Sequence, residues 1–183
     1  MSKPEPQISF RPVVKKDLSM LRSWMEQPHW REWWGDLETE LGYVVDMIEG
    51  RDTTKPFIFQ FDGLDVGYIQ YWTIADQLVE PWLSQAPWMP MLPDDTIGVD
   101  LSIGDAGNLS KGLGSRAVQH FVASLWEEGF RNIIIDPDYL NKRAVRAYEK
   151  AGFQTMDALR GKTGDTLLMQ DVPRATRVRQ IAS

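Results

Sequence analysis

The stretch that most constrains the fold is a run of apolar residues, TIGVDLSI (96–103), followed by NLSKGLGSRA (108–117) and then by a helical pattern. A strand that ends in glycine-rich backbone and runs into a helix N-terminus is built for an anion. The first N–H groups of the helix have no intrahelical partner, and the helix dipole favours negative charge there. With no β-carbon at Gly112 or Gly114, a phosphate can approach those amides closely. The alternative is a tight turn that merely needs glycine. GLGSRA also fits the dinucleotide pattern G-x-G-x-x-A, with Asp136 placed downstream where a ribose would be held. A dinucleotide fold, however, carries its motif after the first strand and repeats the strand-helix unit several times beyond it. Here about a hundred largely antiparallel residues precede the motif. A P-loop is excluded because Lys111 stands before the glycines rather than after the last one.

The rest of the chain supplies a sheet for this motif. ISFRPVV reads as a first strand, Asp17–Gln27 as a helix carrying Leu18, Leu21 and Met25, and Leu37–Glu49 as a second helix ended by Gly50. Between the helices, HWREWWGD is read as an aromatic interruption. FIFQFDGLDVGYIQYW holds a hairpin, with Asp62-Gly63 between two β-rich runs. From Ala75 to Asp95, Pro81, Pro87, Pro90 and Pro93 argue against regular structure, and a loop of that length is more often functional than idle. After the glycine loop, a helix is expected over Gly112–Glu128, with Val118, Phe121, Val122 and Leu125 on one face. RNIIID is a strand buried on both faces, Asn141 an N-cap, Gly152 a left-handed C-cap, and FQTMDAL with TLLMQDV a terminal hairpin around Gly161–Gly164. The expected architecture is α/β (α+β): a mixed sheet of about six to seven strands flanked by about four helices, with one strand-helix-strand crossover.

Composition narrows the chemistry. The 183 residues are expected to form a single domain, with a core over 8–172 and a polar tail over 173–183. Cysteine is absent, which excludes disulfides, thiolate metal sites and a cysteine nucleophile; His29 and His120 are the only imidazoles, so no metal is expected. There is no apolar run of membrane-spanning length and no apolar leader in MSKPEPQ, so the expected setting is soluble and cytoplasmic, away from membranes. A net charge of −6 argues against nucleic acid and is compatible with a cationic small-molecule substrate. Eight tryptophans, most within 24–34 and 72–88, form either a thick core or a pocket wall. A monomer and a homodimer both remain open.

IGVDLSIGDAGNLSKGLGSRA followed by IIIDPDYLNKRAVRAYEKAGF resembles the two central motifs of the GCN5-related N-acetyltransferases (GNAT), and the element order from Ile8 to Val172 agrees with that fold. The resemblance implies acetyl-CoA as co-substrate, with its pyrophosphate on Lys111, Gly112, Leu113, Gly114 and Ser115 and its pantetheine along Leu101, Ser102 and Ile103. Leu109 stands where the family usually has Gln or Arg, a change that a backbone contact survives. By the same resemblance Asn141, Arg143 and Ala144 contact the coenzyme arm, and Tyr148 lies near the sulfur as general acid. On residue type alone, Asn141 is equally an ordinary cap and Tyr148 an amphipathic core residue.

HWREWWGD, GYIQYW, GVD, NLSKGLG and NKRAVRAYEKAGF are together similar to aminoglycoside 6'-N-acetyltransferases of the common resistance type. That similarity implies direct acetyl transfer to a primary amine of a polycation held by Trp34, Gln70, Asp100 and Asp136. Asp100, an acid inside an apolar strand, would bind the reacting ammonium and accept its proton directly or through water; otherwise it faces solvent, as Asp136 would serve a turn. EWW and QYW also resemble siderophore-biosynthesis acyltransferases, which acylate a hydroxylated lysine, although the histidine expected on their central strand is not evident. A coenzyme-binding module without catalysis is the remaining alternative.

Overall fold

The structure, a computed structural model, describes residues 6–172; the expected tail over 173–183 lies outside them. Strand β1 (Ile8–Pro12) is followed by helices α1 (Leu18–Met25), α2 (Pro28–Trp33) and α3 (Leu37–Ile48), then by β2 (Lys55–Phe61) and β3 (Leu64–Thr73). The short helices α4 (Ile74–Gln77) and α5 (Trp82–Gln85) lead to β4 (Thr96–Ile103), α6 (Leu113–Glu127), β5 (Asn132–Ile135), α7 (Lys142–Ala151), β6 (Phe153–Thr155) and β7 (Met169–Asp171). The seven strands form one mixed sheet in the order β1-β2-β3-β4-β5-β7-β6. β4 and β5 run parallel across the expected crossover, and β1–β2, β2–β3, β5–β7 and β6–β7 run antiparallel.

The mixed α/β class and the strand count agree with the expectation. Among the described residues, seven helices replace the expected four because the short ones leave too little period to read in the sequence. HWREWWGD is no interruption: Pro28 occupies the first turn of α2, where its missing N–H costs nothing and its fixed φ starts the helix. The proline-rich segment likewise holds two helical turns. Thr73 caps α4 through a side chain that accepts from Asp76 N, Pro81 stands at the N-cap of α5, and Pro90 lies in a 3-10 turn over Met89–Met91. The prolines sit where turns begin, so they shape the segment rather than unravel it. The Asp62-Gly63 turn is found as read, with φ of 51° and 79°, the geometry of a type I′ hairpin.

The chain divides into two compact units, one of the described residues up to Tyr71 with Asp100–His120, the other of Trp72–Val99 with the described residues from Phe121 on. In the first, Leu21 and Met25 of α1, Trp30 of α2, Leu41 and Val44 of α3, Ile58 of β2 and Tyr68 of β3 form the core, with Trp24 and Trp34 packed against it. Each such side chain contributes about 1.5–3 kcal/mol on burial. The second unit has its own core of Ile74, Trp88, Met89, Leu92, Ile134 and Leu168. Ile133, Ile134 and Ile135 are all fully buried, as an apolar strand covered on both faces requires.

Candidate active site

In the first unit, the C-terminal half of β4 gathers most of the residues singled out from the sequence. Asp100 is half-buried and accepts a hydrogen bond from Gln70 Nε2 of β3 at 2.8 Å. The amide oxygen of Gln70 in turn accepts from the Tyr68 hydroxyl at 2.6 Å. Tyr68 has a proton to give, so the amide must present its oxygen to the phenol and its NH2 to the carboxylate. The phenol stays protonated because burial, and then the charges of Asp100, Glu40 and Asp52, push its pKa well above the ordinary value. Trp34, at the C-cap of α2, meets the Tyr68 ring edge-on at 5.8 Å, and Trp30 packs on it at 5.9 Å. Trp30 is core and Trp34 forms a half-buried aromatic wall. Trp34, Gln70 and Asp100 are thus linked through Tyr68, which the sequence reading passes over.

It also passes over Glu40. This acid lies on the apolar stripe of α3, between Leu37 and the buried Leu41 and Val44, and an acid at that helical spacing was the available signal. Burial raises its pKa to about 7, helped by the negative charges of Asp100 and Asp36.

Along the same strand, Ser102 and Ile103 are buried and Leu101 is half-buried. The Ile103 carbonyl accepts from His29 Nε2 at 2.7 Å, so Nε2 carries a proton. The ladder between β4 and β5 covers Thr96–Gly98 opposite Asn132–Ile134, and β4 runs on past it to Ile103. The chain then passes through Leu109, extended and half-buried, to Ser110 and Gly112, both at positive φ (60° and 76°), and α6 starts at Leu113. Ser115 Oγ donates to Gly112 O at 3.0 Å, and the exposed Lys111 reaches Asn108 Oδ1 at 3.4 Å. The two glycines differ. Gly112 needs its left-handed backbone, whereas a β-carbon on Gly114 would meet Leu101 Cδ2 at 3.4 Å and Ile103 Cδ1 at 3.8 Å, ordinary contacts.

The remaining expected residues belong to the second unit. Asp136 follows β5 directly and is half-buried. Asn141 caps α7, its Oδ1 accepting from Ala144 N at 3.1 Å, while Arg143 is exposed. Tyr148 is 6% exposed, with its ring 6.4 Å from that of Phe153. Gly152 closes α7 in the left-handed conformation, as read. Among the described residues, no group of three or more His, Asp or Glu side chains is arranged to hold a metal ion, and no helix is long and apolar enough to cross a membrane.

A strand, glycine loop and helix at the heart of a mixed sheet, with an acid on that strand, agree with a family model. The acetyltransferase (GNAT) domain matches residues 13–160, and the chain belongs to that family. It is 29% identical over 183 residues to the aminoglycoside N(6')-acetyltransferase type 1 of Klebsiella pneumoniae, covering 96% of this chain and 88% of the relative. The lysine N-acyltransferase MbtK of Mycobacterium tuberculosis is 27% identical over 154 residues, 81% of this chain and 69% of the relative. Among solved structures, AAC(6')-Ib in complex with paromomycin and acetyl-CoA superposes with a TM-score of 0.78 at 27% identity, covering 93% of this chain and 96% of that one. The same enzyme with coenzyme A and kanamycin gives 0.78 at 26% identity, over 95% and 99% of the two chains.

Proposed function

We propose that this chain transfers the acetyl group of acetyl-CoA to a primary amine of a small polycation of the aminoglycoside type, in one direct step. The observation that carries the proposal is the sharing of β4: Asp100, held by Gln70, lies twelve residues before Gly112 on the strand that feeds the glycine loop. One rigid element thereby carries both an acceptor for a cation and the approach to an anion site.

The residues fit the coenzyme. Gly112 opens the backbone, Gly114 leaves space that the fold itself does not need empty, and Leu101–Ile103 continue past the end of the parallel ladder. Lys111, Leu113 and Ser115 complete the proposed pyrophosphate cradle with Leu109 at its entrance, and Asn141, Arg143 and Ala144 serve the coenzyme arm. Acetyl-CoA, when bound, supplies the thioester carbonyl.

Asp100 holds the acceptor ammonium and takes its proton, directly or through a water, so that nitrogen can form the new bond to the carbonyl carbon. The C–S bond then breaks, and Tyr148 is the proposed donor of the proton that the departing thiolate requires. Trp34 and Gln70 orient the acceptor, and Asp136 contributes a further negative charge to it. Thiol release from acetyl-CoA, measured across kanamycin, polyamines and hydroxylysine, tests the proposal. Turnover with kanamycin supports it; tight coenzyme binding without turnover on any amine overturns it in favour of a binding module. A second reading, acyl transfer to a lysine-type amine, is supported by the likeness to MbtK, and preferential turnover of hydroxylysine would establish it.

A further inference from the structure

Helix α3 starts from Asp36, whose carboxylate accepts from Thr39 N at 3.0 Å. One turn in, Glu40 shares the inward side of the helix with Leu41 and Val44 of the core, and its side chain is half-buried. Its Oε1 lies 3.7 Å from the position that a β-carbon on Gly35 would take, immediately after Trp34. Trp34 stands edge-on to Tyr68, and Tyr68 is joined through Gln70 to Asp100. Glu40 and Asp100 therefore flank one aromatic wall within a single unit.

Several other acids of this unit have cations. Glu38, two residues earlier on α3, is clasped by Arg22 at 2.5 and 3.1 Å, and Asp17 and Asp65 share Arg11. The Glu40 carboxyl has no hydrogen bond or ion pair among the described residues, its backbone N–H alone donating, to Asp36 O at 2.9 Å. The charged groups felt by its carboxyl are Asp100 on β4 and Asp36 at the helix cap, both negative. A half-buried acid with only negative neighbours is stabilised most by a cation from outside.

Resting on the acceptor reading above, we propose that Glu40 is a further carboxylate of the acceptor site beside Asp100, selecting acceptors with more than one ammonium group and releasing a proton when they bind. With its pKa near 7, Glu40 is protonated in roughly half the molecules at neutral pH. An ammonium placed against it favours the ionised form and drives that proton off.

The test is calorimetric titration of kanamycin into the coenzyme A-saturated full chain at pH 7, in buffers of different ionisation enthalpy. Wild type is expected to release about half a proton more than Glu40→Gln, while Glu40→Asp, which keeps the charge, retains most of the difference. In turnover, Glu40→Gln is expected to raise KM for kanamycin about tenfold, with kcat little changed, and to leave KM for the mono-ammonium acceptor 6-amino-6-deoxyglucose within about twofold. Equal proton release by wild type and Glu40→Gln, or an equal rise in KM for both acceptors, overturns the role of Glu40 and leaves the acceptor site standing. Kanamycin failing to bind any of the three proteins overturns the acceptor reading itself, and this proposal with it.

Discussion

Two acidic centres in the first unit are built in opposite ways. At the β1 end, Arg11 forks onto Asp17 at 2.7 and 3.1 Å and onto Asp65 at 2.7 and 3.2 Å. Burial alone would push the Asp17 carboxyl up, but hydrogen bonds from Arg11 and from Val14 N hold it below its usual range, and Arg11 does the same for Asp65. At the β4 end, Asp100 is held by the Gln70 amide, and Glu40 is pushed up toward neutrality. The first centre contains its own counter-charge and serves the fold. At the second, Asp100 accepts from a neutral amide and Glu40 stands among negative charges, an arrangement suited to a cation from outside.

The largest expected effect separates the two centres by activity. Asp100→Asn keeps an oxygen for Gln70 to donate to, so the fold should hold within about 1 kcal/mol. Loss of the proton acceptor should lower kcat/KM for acetyl transfer by about 10²–10⁴. Thiol release and urea unfolding on the same preparation check both halves, and an active Asp100→Asn would remove Asp100 from the chemistry. Arg11→Ala should do the reverse. It strands two carboxylates, one of them nearly buried, and should destabilise by about 2–3 kcal/mol, below the figure for fully buried pairs because Arg11 is partly exposed. Its folded fraction should keep normal turnover, and a specific loss of kcat there would show the two centres to be coupled.

Legibility from sequence follows the same division between local and distant causes. Asp62-Gly63, Asn141 and Gly152 act on neighbours within a few residues, and each is found in the conformation its type demands. Asp100 stands out as an acid in an apolar strand. Its partner Gln70 is thirty residues away, brought there by the approach of β3 to β4, which no local pattern specifies. Tyr68 looks like any β-strand aromatic until its hydroxyl is seen to set the Gln70 amide. Glu40 shows only on the helical wheel of α3, as an acid on the face of Leu37, Leu41 and Val44. α2, α4 and α5 escape notice because helices of four to six residues are set by caps and prolines, with too few turns for a period to show.

Glu40 provides a sharper test of the contrast through pH. A carboxyl whose folded pKa lies above its unfolded value binds its proton more tightly in the native state. Its cost to stability is absent below the unfolded pKa of 4.5, grows as pH rises and is complete above about 7. Glu40→Gln should therefore leave stability unchanged near pH 4 and raise it by about 1–2 kcal/mol at pH 8, the figure being reduced for partial exposure. Unfolding curves at the two pH values check this. The Arg11 centre has the opposite sign: its carboxylates stabilise above their unfolded pKa of 3.8 and lose that contribution as pH falls through their depressed folded values. Equal effects of Glu40→Gln at both pH values would mean that the acid is tolerated for packing alone.

The smallest effects distinguish what the fold needs from what it leaves for a ligand, now on the donor side of β4. Gly112 has φ of 76°, so Gly112→Ala should cost about 1–2 kcal/mol whatever the loop binds. Gly114 lies in the first turn of α6 and an added methyl would find ordinary contacts, so Gly114→Ala should leave stability unchanged or raise it by about 0.5 kcal/mol. The same methyl would stand where the coenzyme's pyrophosphate is proposed to lie, and KM for acetyl-CoA should rise about tenfold with kcat nearly unchanged. Thermal unfolding and a KM determination on the two variants decide between a coenzyme cradle and a turn. A Gly114→Ala protein with unaltered affinity for acetyl-CoA would assign the bare backbone at that position to the turn, and would move the proposed anion contact to Gly112 and its neighbours.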